Sequence, residues 1–393
     1  MNVAYFKGTL MTGPFGQRAM TQISNPAITA PSFLKSVTPD RPVLFFTPSA
    51  LRRTAQRFLA GFPGLVTYAV KANDSEEVLE NLVLSGVSAF DVASPEEMLR
   101  VRRVKPDAVL HYHNPVRSRG EIARAIQFGI TSWSVDASSE LEKLKDIPAG
   151  SEIAVRLRLP VKGAAYDFGA KFGADPAQAA DLLRRVQNMG FTPSMTFHPG
   201  TQCADPSAWV RYIHASAEVA RTAGVELHRL NVGGGFAAHR TGAAPDLEAI
   251  FAAIGHACYE AFGANSPKLV CEPGRSMVAE SFSLAARVRA VFNDGRVFLN
   301  DGIYGALSEW RDIGNMDRFR VVRSSGEHVS GRQIERIVFG PTCDSLDRLP
   351  GTLALPDTLQ EDDYILFEGM GAYSATIATR FNGYGDLQRI TLG

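Results

Sequence analysis

From residue 66 onward, short runs rich in aliphatic, β-branched and aromatic residues alternate with longer segments of helical composition, and the alternation repeats eight times. The runs are 66–71, 89–93, 109–113, 132–136, 153–159, 193–198, 229–233 and 268–272. Between them, segments such as 75–84, 95–104, 119–128 and 176–189 read as helices. A helical crossover carries the chain back to the same end of a sheet, so strands joined in this way are parallel. Eight of them can remove their exposed edges by closing on themselves. The pattern therefore predicts an α/β fold in which residues 41–280 form a (β/α)8 TIM-like barrel. One misplaced run would leave an open doubly wound sheet instead.

After about Ser281 the rhythm changes to β-rich stretches at 284–292, 318–322, 336–339 and 363–367, separated by Gly, Pro and Asp turns. Residues 281–393 are thus expected to form a second, mainly antiparallel β domain. A chain of 393 residues exceeds one ordinary core, which agrees with this division. The first forty residues are rich in Pro, Thr, Ser and Gly. They read as an N-terminal arm that is either partly disordered or an edge strand of the second domain.

Composition narrows the function. Lys plus Arg and Asp plus Glu number 41 each, so the net charge is zero and no basic surface points to nucleic acid or an anionic membrane. The first sixteen residues lack the apolar core of a signal peptide, and no 18 apolar residues run together. A cytoplasmic protein acting on small molecules is expected. The four cysteines, Cys203, Cys258, Cys271 and Cys343, lack ligand spacing and read as free thiols. His111 and His113 flank Tyr112 on one face of a strand, as a metal pair would, but no third ligand is near in sequence and no metal is expected.

Reactive groups of such a barrel gather where its strands end. Those ends carry Lys71, Asp91, Asn114, Asp136, Arg156, His198, the run Gly233, Gly234 and Gly235, and Glu272. A partly desolvated lysine can form a Schiff base with an aldehyde, although a strand-end lysine can equally be a solvated surface group. Three successive glycines offer backbone N–H groups to a phosphate, or merely make a flexible turn. Glu272 and Arg275 in Glu-Pro-Gly-Arg place a carboxylate and a guanidinium beside the first strand, either as a rim ion pair or as ligands. A carboxylate about 4 Å from a pyridine nitrogen would favour its protonated form by roughly 4 kcal/mol at an effective dielectric of 20. That proton would make the ring an electron sink. His198 could stack on such a ring or be a structural residue. In the second domain, Cys343 and Asp344 lie on one turn, a thiol able to donate a proton beside a carboxylate. Tyr373 could reach a phosphate or simply fill the core.

Taken in order, Tyr-Ala-Val-Lys71-Ala-Asn, Phe-Asp91-Val-Ala-Ser, Lys171-Phe-Gly-Ala, the His198 segment, the three glycines, Glu272-Pro-Gly-Arg275, Asn300-Asp-Gly, Gly-Pro-Thr-Cys343-Asp344, Met-Gly-Ala-Tyr373 and Phe381-Asn-Gly resemble the fold-type III pyridoxal-phosphate decarboxylases. The likeness is closest to the ornithine decarboxylase branch and extends over roughly residues 40 to 390. It implies pyridoxal 5'-phosphate bound covalently at Lys71, Glu272 on the ring nitrogen and His198 stacked on the ring. Thr201, Gly233, Gly234, Gly235, Arg275 and Tyr373 would hold the phosphate, with Asp91, Arg156 and Lys171 in support. The resemblance also implies a homodimer with shared active sites, in which Cys343 protonates the substrate α-carbon and Asp344 receives the distal amine. L-Ornithine, giving putrescine, is the expected substrate. L-Lysine or a larger carboxylated or conjugated diamine is the alternative, and an inactive regulatory homologue is the rival of another class. The sequence departs from the family where relatives place a second acid. Glu309 or Asp312 could serve there, whereas Arg311, if it faced the pocket, would repel an ammonium and welcome a carboxylate.

Overall fold

The computed structural model describes residues 28–159, 171–314 and 316–393. Most of the expected N-terminal arm lies outside these residues. Its described part is a helix, Ala30–Val37, rather than an edge strand. The helix packs Phe33 and Leu34 against the strand that follows, β1 (Val43–Phe46), whose four consecutive apolar residues are all buried.

The eight expected runs form a closed parallel barrel. Its strands are β2 (Gly64–Ala69), β3 (Ala89–Val92), β4 (Val109–Tyr112), β5 (Ser132–Val135), β6 (Glu152–Leu157), β7 (Thr192–Phe197), β8 (Arg229–Asn231) and β9 (Lys268–Cys271). Closure is made by β9 pairing with β2 at Val66 and Cys271. Local sequence explains where the helices begin. Ser118 and Glu121 form a reciprocal capping box ahead of Arg119–Gln127, and Asp175 with Gln178 does the same ahead of Pro176–Asn188. Ser94 accepts from the Glu97 N–H at the start of Pro95–Val104.

The second sheet comprises β10 (Phe282–Val291), β11 (Arg296–Leu299), β12 (Phe319–Val322), β13 (Gln333–Phe339), β14 (Leu353–Pro356), β15 (Tyr364–Glu368) and β16 (Gln388–Thr391), together with β1. Its pairings are antiparallel except β1 with β16 and β11 with β13. Thus β1 belongs to this sheet, although the sequence suggested that everything from residue 41 to 280 was barrel. A four-residue strand ahead of the barrel carries no local sign of which sheet will bury it. Strand β10 joins the two units. Leu284, Ala286 and Val288 enter the core shared with the barrel, while Ala285 faces Phe33 and Leu34 in a separate cluster. The far half of β10 pairs with β11, with a register shift between Val288 and Ala290. Among the described residues, no helix is long and apolar enough to cross a membrane.

Candidate active site

Lys71 lies just beyond β2, in the single 3-10 turn Val70–Ala72. The neighbouring motif residues hold that turn in place. The Tyr68 hydroxyl donates to the Asn73 carbonyl at 2.8 Å, and Asn73 Nδ2 donates to the Gly371 carbonyl at 2.9 Å. The Tyr373 N–H in turn donates to the Ala72 carbonyl at 2.8 Å. Residues of the second domain therefore tie down the lysine turn. Tyr373 adopts a left-handed backbone (φ 61°), a costly conformation for a residue with a bulky side chain, and it carries the Arg275 guanidinium 5.0 Å above its ring.

Two connected spaces flank Lys71. The larger, about 220 Å³, is lined by Lys71, Asp91, His113, Arg156, Lys171, Phe172, His198 and Glu272, with a few neighbours. The smaller is lined by Lys71, His198, Thr201, Gly234, Gly235, Glu272, Arg275 and Tyr373. The glycine run fits here because nothing larger would. A Cβ on Gly234 would lie 2.6 Å from the Glu272 carbonyl oxygen, and Gly233 (φ +67°) and Gly235 (φ +85°) are left-handed. The Asn231 side chain accepts from the Gly233 N–H at 2.9 Å, which fixes how the run leaves β8.

The electrostatics suit a bound aldehyde cofactor. Burial would lower the Lys71 ammonium, but Tyr373, Asp91 and Glu272 around it outweigh burial and raise it. Burial, Lys71 and Arg156 push His198 down to about 3, so its ring is neutral. The Gly200 N–H donates to its Nδ1 at 3.1 Å, which agrees with an unprotonated Nδ1. Burial would raise Glu272, yet a hydrogen bond and charge from His113, the Lys71 cation and an Asn231 hydrogen bond hold its carboxyl low. Asp91 goes the other way, raised by burial and by the charge of Glu272.

Several expected residues stand elsewhere. Glu309 forms a bidentate ion pair with Arg275, at the phosphate-like end of the site rather than over a substrate's far end. Arg311 pairs with its neighbour Asp312 at 2.7 Å, and both are exposed. Neither Cys343 nor Asp344 lines the space around Lys71. Cys343 is exposed, its N–H donating to Asn382 Oδ1, and Asp344 accepts from the Tyr304 hydroxyl at 2.6 Å. Two residues at the centre received no role from the sequence. Asn231 and His113 both contact Glu272, at 2.5 Å and 2.9 Å, although His113 had been noticed as half of a strand-face pair. Asp91, His113 and Glu272 bring one ligand atom each within 4.8 Å, a trio no sequence spacing announced, and Lys71 contributes a cation beside it.

These residues fit pyridoxal phosphate. The buried atoms Asp91 Oδ1 and Arg275 Nε lack hydrogen-bond partners, a lysine faces a neutral imidazole and a carboxylate, and a glycine cradle lies beside an arginine and a tyrosine. The donor set matches an aldehyde, a planar pyridine and a phosphate, so the fold and site define a pyridoxal-phosphate enzyme built on a (β/α)8 barrel. The family described as "Pyridoxal-dependent decarboxylase, pyridoxal binding domain" matches residues 49–279, and the chain belongs to it. The decarboxylase FlvG of Aspergillus flavus is 32% identical over 81% of this chain and 77% of its own length. Ornithine decarboxylase of Panagrellus redivivus is 30% identical over 81% and 77%. The structure of the lysine/ornithine decarboxylase of Vibrio vulnificus complexed with cadaverine superposes with a TM-score of 0.77 at 27% identity, covering 90% of this chain and 94% of that one. The protein is a carbon–carbon lyase that uses pyridoxal phosphate.

Proposed function

We propose that the protein decarboxylates a basic L-amino acid, with L-ornithine, giving putrescine and carbon dioxide, as its preferred substrate. The observation that carries this reading is Asp344, a half-buried carboxylate that the Tyr304 hydroxyl holds below the usual carboxylate range. It stays anionic and is available to an ammonium group, one residue from the Cys343 thiol. Arg311 does not oppose such a group, because Asp312 already neutralises it. The lysine/ornithine and ornithine decarboxylases among its relatives support the same substrate class.

Bound at Lys71, pyridoxal phosphate supplies an aldehyde to capture the substrate amine and a protonated ring to accept the electron pair left by departing carbon dioxide. The chain's own residues arrange the rest. Lys71 would hold the cofactor, His198 would cover a ring face, Glu272 would meet the ring nitrogen, and Thr201, Gly234, Gly235, Arg275 and Tyr373 would take the phosphate, with Gly233, whose N–H is held by Asn231, shaping the turn. Asp91 and Arg156 balance charge around the lysine, and Lys171 stands at the entrance beside Phe172.

The proton donor and the distal-amine anchor come from a second copy in this reading. Cys343 and Asp344 lie on a surface where Leu346 (70% exposed), Ile377 (43%) and Phe381 (44%) form apolar ground. The Phe381 ring packs 5.2 Å from Tyr304, next to Asp344. Such a patch suits a partner copy better than water. The test is amine release from the holoenzyme offered L-ornithine, L-lysine, L-arginine and meso-diaminopimelate. The expected outcome is kcat/KM for ornithine about tenfold or more above lysine, the discrimination one methylene gives. Activity confined to a substrate with a distal carboxylate would overturn the assignment and turn attention to Arg311.

A further inference from the structure

The barrel interior below the cofactor pocket holds a file of buried polar groups that the reaction as so far described does not use. His113, at the end of β4, is nearly inaccessible to solvent. Its Nδ1 lies 2.9 Å from Glu272 Oε1, and its Nε2 lies 3.0 Å from Ser132 Oγ. Asn231 Nδ2 donates to the same Oε1 at 2.5 Å, and the orientation of that amide is fixed because its oxygen accepts from the Gly233 N–H. Two nitrogens therefore converge on one carboxylate oxygen. No described hydrogen bond engages Oε2.

We propose that His113 is a positioning residue for this enzyme: its Nδ1–H, together with Asn231, fixes Glu272 as an ionised carboxylate with Oε2 free for the cofactor's ring nitrogen. Glu272 could not do this reliably alone, since a buried carboxylate without donors tends to take up a proton. Asn231 Nδ2 also lies 3.0 Å from His113 Nδ1, a close approach of two nitrogens aimed at the same Glu272 oxygen, and the other groups facing His113 favour a proton on Nδ1. Ser132 can donate to Nε2, which leaves the proton on Nδ1. His111 stacks on His113, ring centroids 5.3 Å apart, and Arg229 donates to its Nε2 at 3.3 Å, which keeps His111 from adding a second cation. Glu152, paired with Arg229, closes the file, and Asp91 lies on the cofactor side. The net direction for His113 itself is upward: burial opposes its protonation, but the bond to Glu272 and its charge prevail.

The inference rests on pyridoxal phosphate as the cofactor, and the experiment separates the two. In the unaltered apoprotein, 15N NMR of histidine should show His113 protonated on Nδ1 between about pH 6 and 8; an unprotonated Nδ1 would overturn the proposal whatever cofactor binds. The holoenzyme loaded with 15N-labelled pyridoxal phosphate then reports the ring nitrogen directly. Asn at position 113 places its amide near Nδ1, whereas Gln places it near Nε2. His113→Asn should keep the protonated-ring signal and the cofactor affinity. His113→Gln should move the signal toward the unprotonated ring and weaken cofactor binding about tenfold, the loss expected for one hydrogen bond to a charged group. An unchanged signal in His113→Gln, or equal impairment in both variants, would reduce His113 to packing and overturn the proposal.

Discussion

The two halves of the chemistry are built differently. Around Lys71 the polar groups lie inside a pocket, Asp91, His113 and Asn231 buried and His198, Glu272 and Arg275 half-buried, and elements from both sheets fix the backbone. Around Cys343 the thiol is exposed and the Asp344 carboxylate half-buried, held by a few hydrogen bonds and flanked by apolar side chains that face solvent. The first region is complete in one chain. If the second is completed by another copy of the chain, as proposed, cofactor binding and proton donation should be separable by mutation.

The largest expected effect tests that separation. Lys71→Ala should abolish turnover and the visible absorbance of the bound cofactor, whereas Cys343→Ala should keep the absorbance and lose about 10²- to 10⁴-fold in kcat, the range for a general acid. Mixed and allowed to exchange subunits, the two inactive variants should recover about a quarter of wild-type activity, because half of the random dimers would carry one intact composite site. No recovery despite demonstrated exchange would place both residues in a site made by one chain. A smaller effect is expected at the patch itself. Leu346→Asp should raise the dimer dissociation constant about tenfold to a hundredfold, since burying a leucine contributes about 1.5–3 kcal/mol, and analytical ultracentrifugation would read it. An unchanged association state would remove Leu346 from the interface.

How much of this was legible in the sequence follows the same division. The eight barrel strands and helices such as Pro95–Val104 were readable because period and capping residues act locally. Lys71, Glu272 and the glycine run were readable because each ends a strand, where a barrel displays its side chains. Strands β1 and β16 were not read as a pair because their residues, such as Phe45 and Ile390, meet only across most of the chain length. The link between Glu309 and Arg275 was missed for a related reason: a short helix from the second domain lays its acid over the barrel, and no spacing records that. Asn231 could have been found from its place two residues before Gly233, where an asparagine side chain commonly accepts from the backbone N–H two residues on.

The last predicted effect, on stability rather than turnover or assembly, probes a buried acid near the exposed turn. Asp301 accepts from the Ala306 N–H, and burial pushes its carboxyl up to about 7, with Asp347 adding to the shift. A carboxyl whose pKa is higher folded than unfolded binds more protons in the folded state, so its contribution to stability falls as pH rises from about 4 to about 7. Asp301→Asn, which keeps an acceptor without the charge, should gain stability relative to wild type across that window, by up to about 1.4 kcal/mol per pH unit. Thermal melts at pH 5 and pH 8 would measure it; a pH-independent difference would show that Asp301 ionises normally.

The hydrogen bonds from Tyr373 to Ala72 and from Asn73 to Gly371 have a consequence in time. They span about three hundred residues, so as the chain leaves the ribosome its lysine emerges that far ahead of the groups that clamp the lysine turn. A nascent barrel can close without them, but its lysine turn stays unclamped and its phosphate end lacks Tyr373. Tight capture of the cofactor therefore waits for residues 371–373, and a chain cut short before residue 371 is left without a secure hold on it.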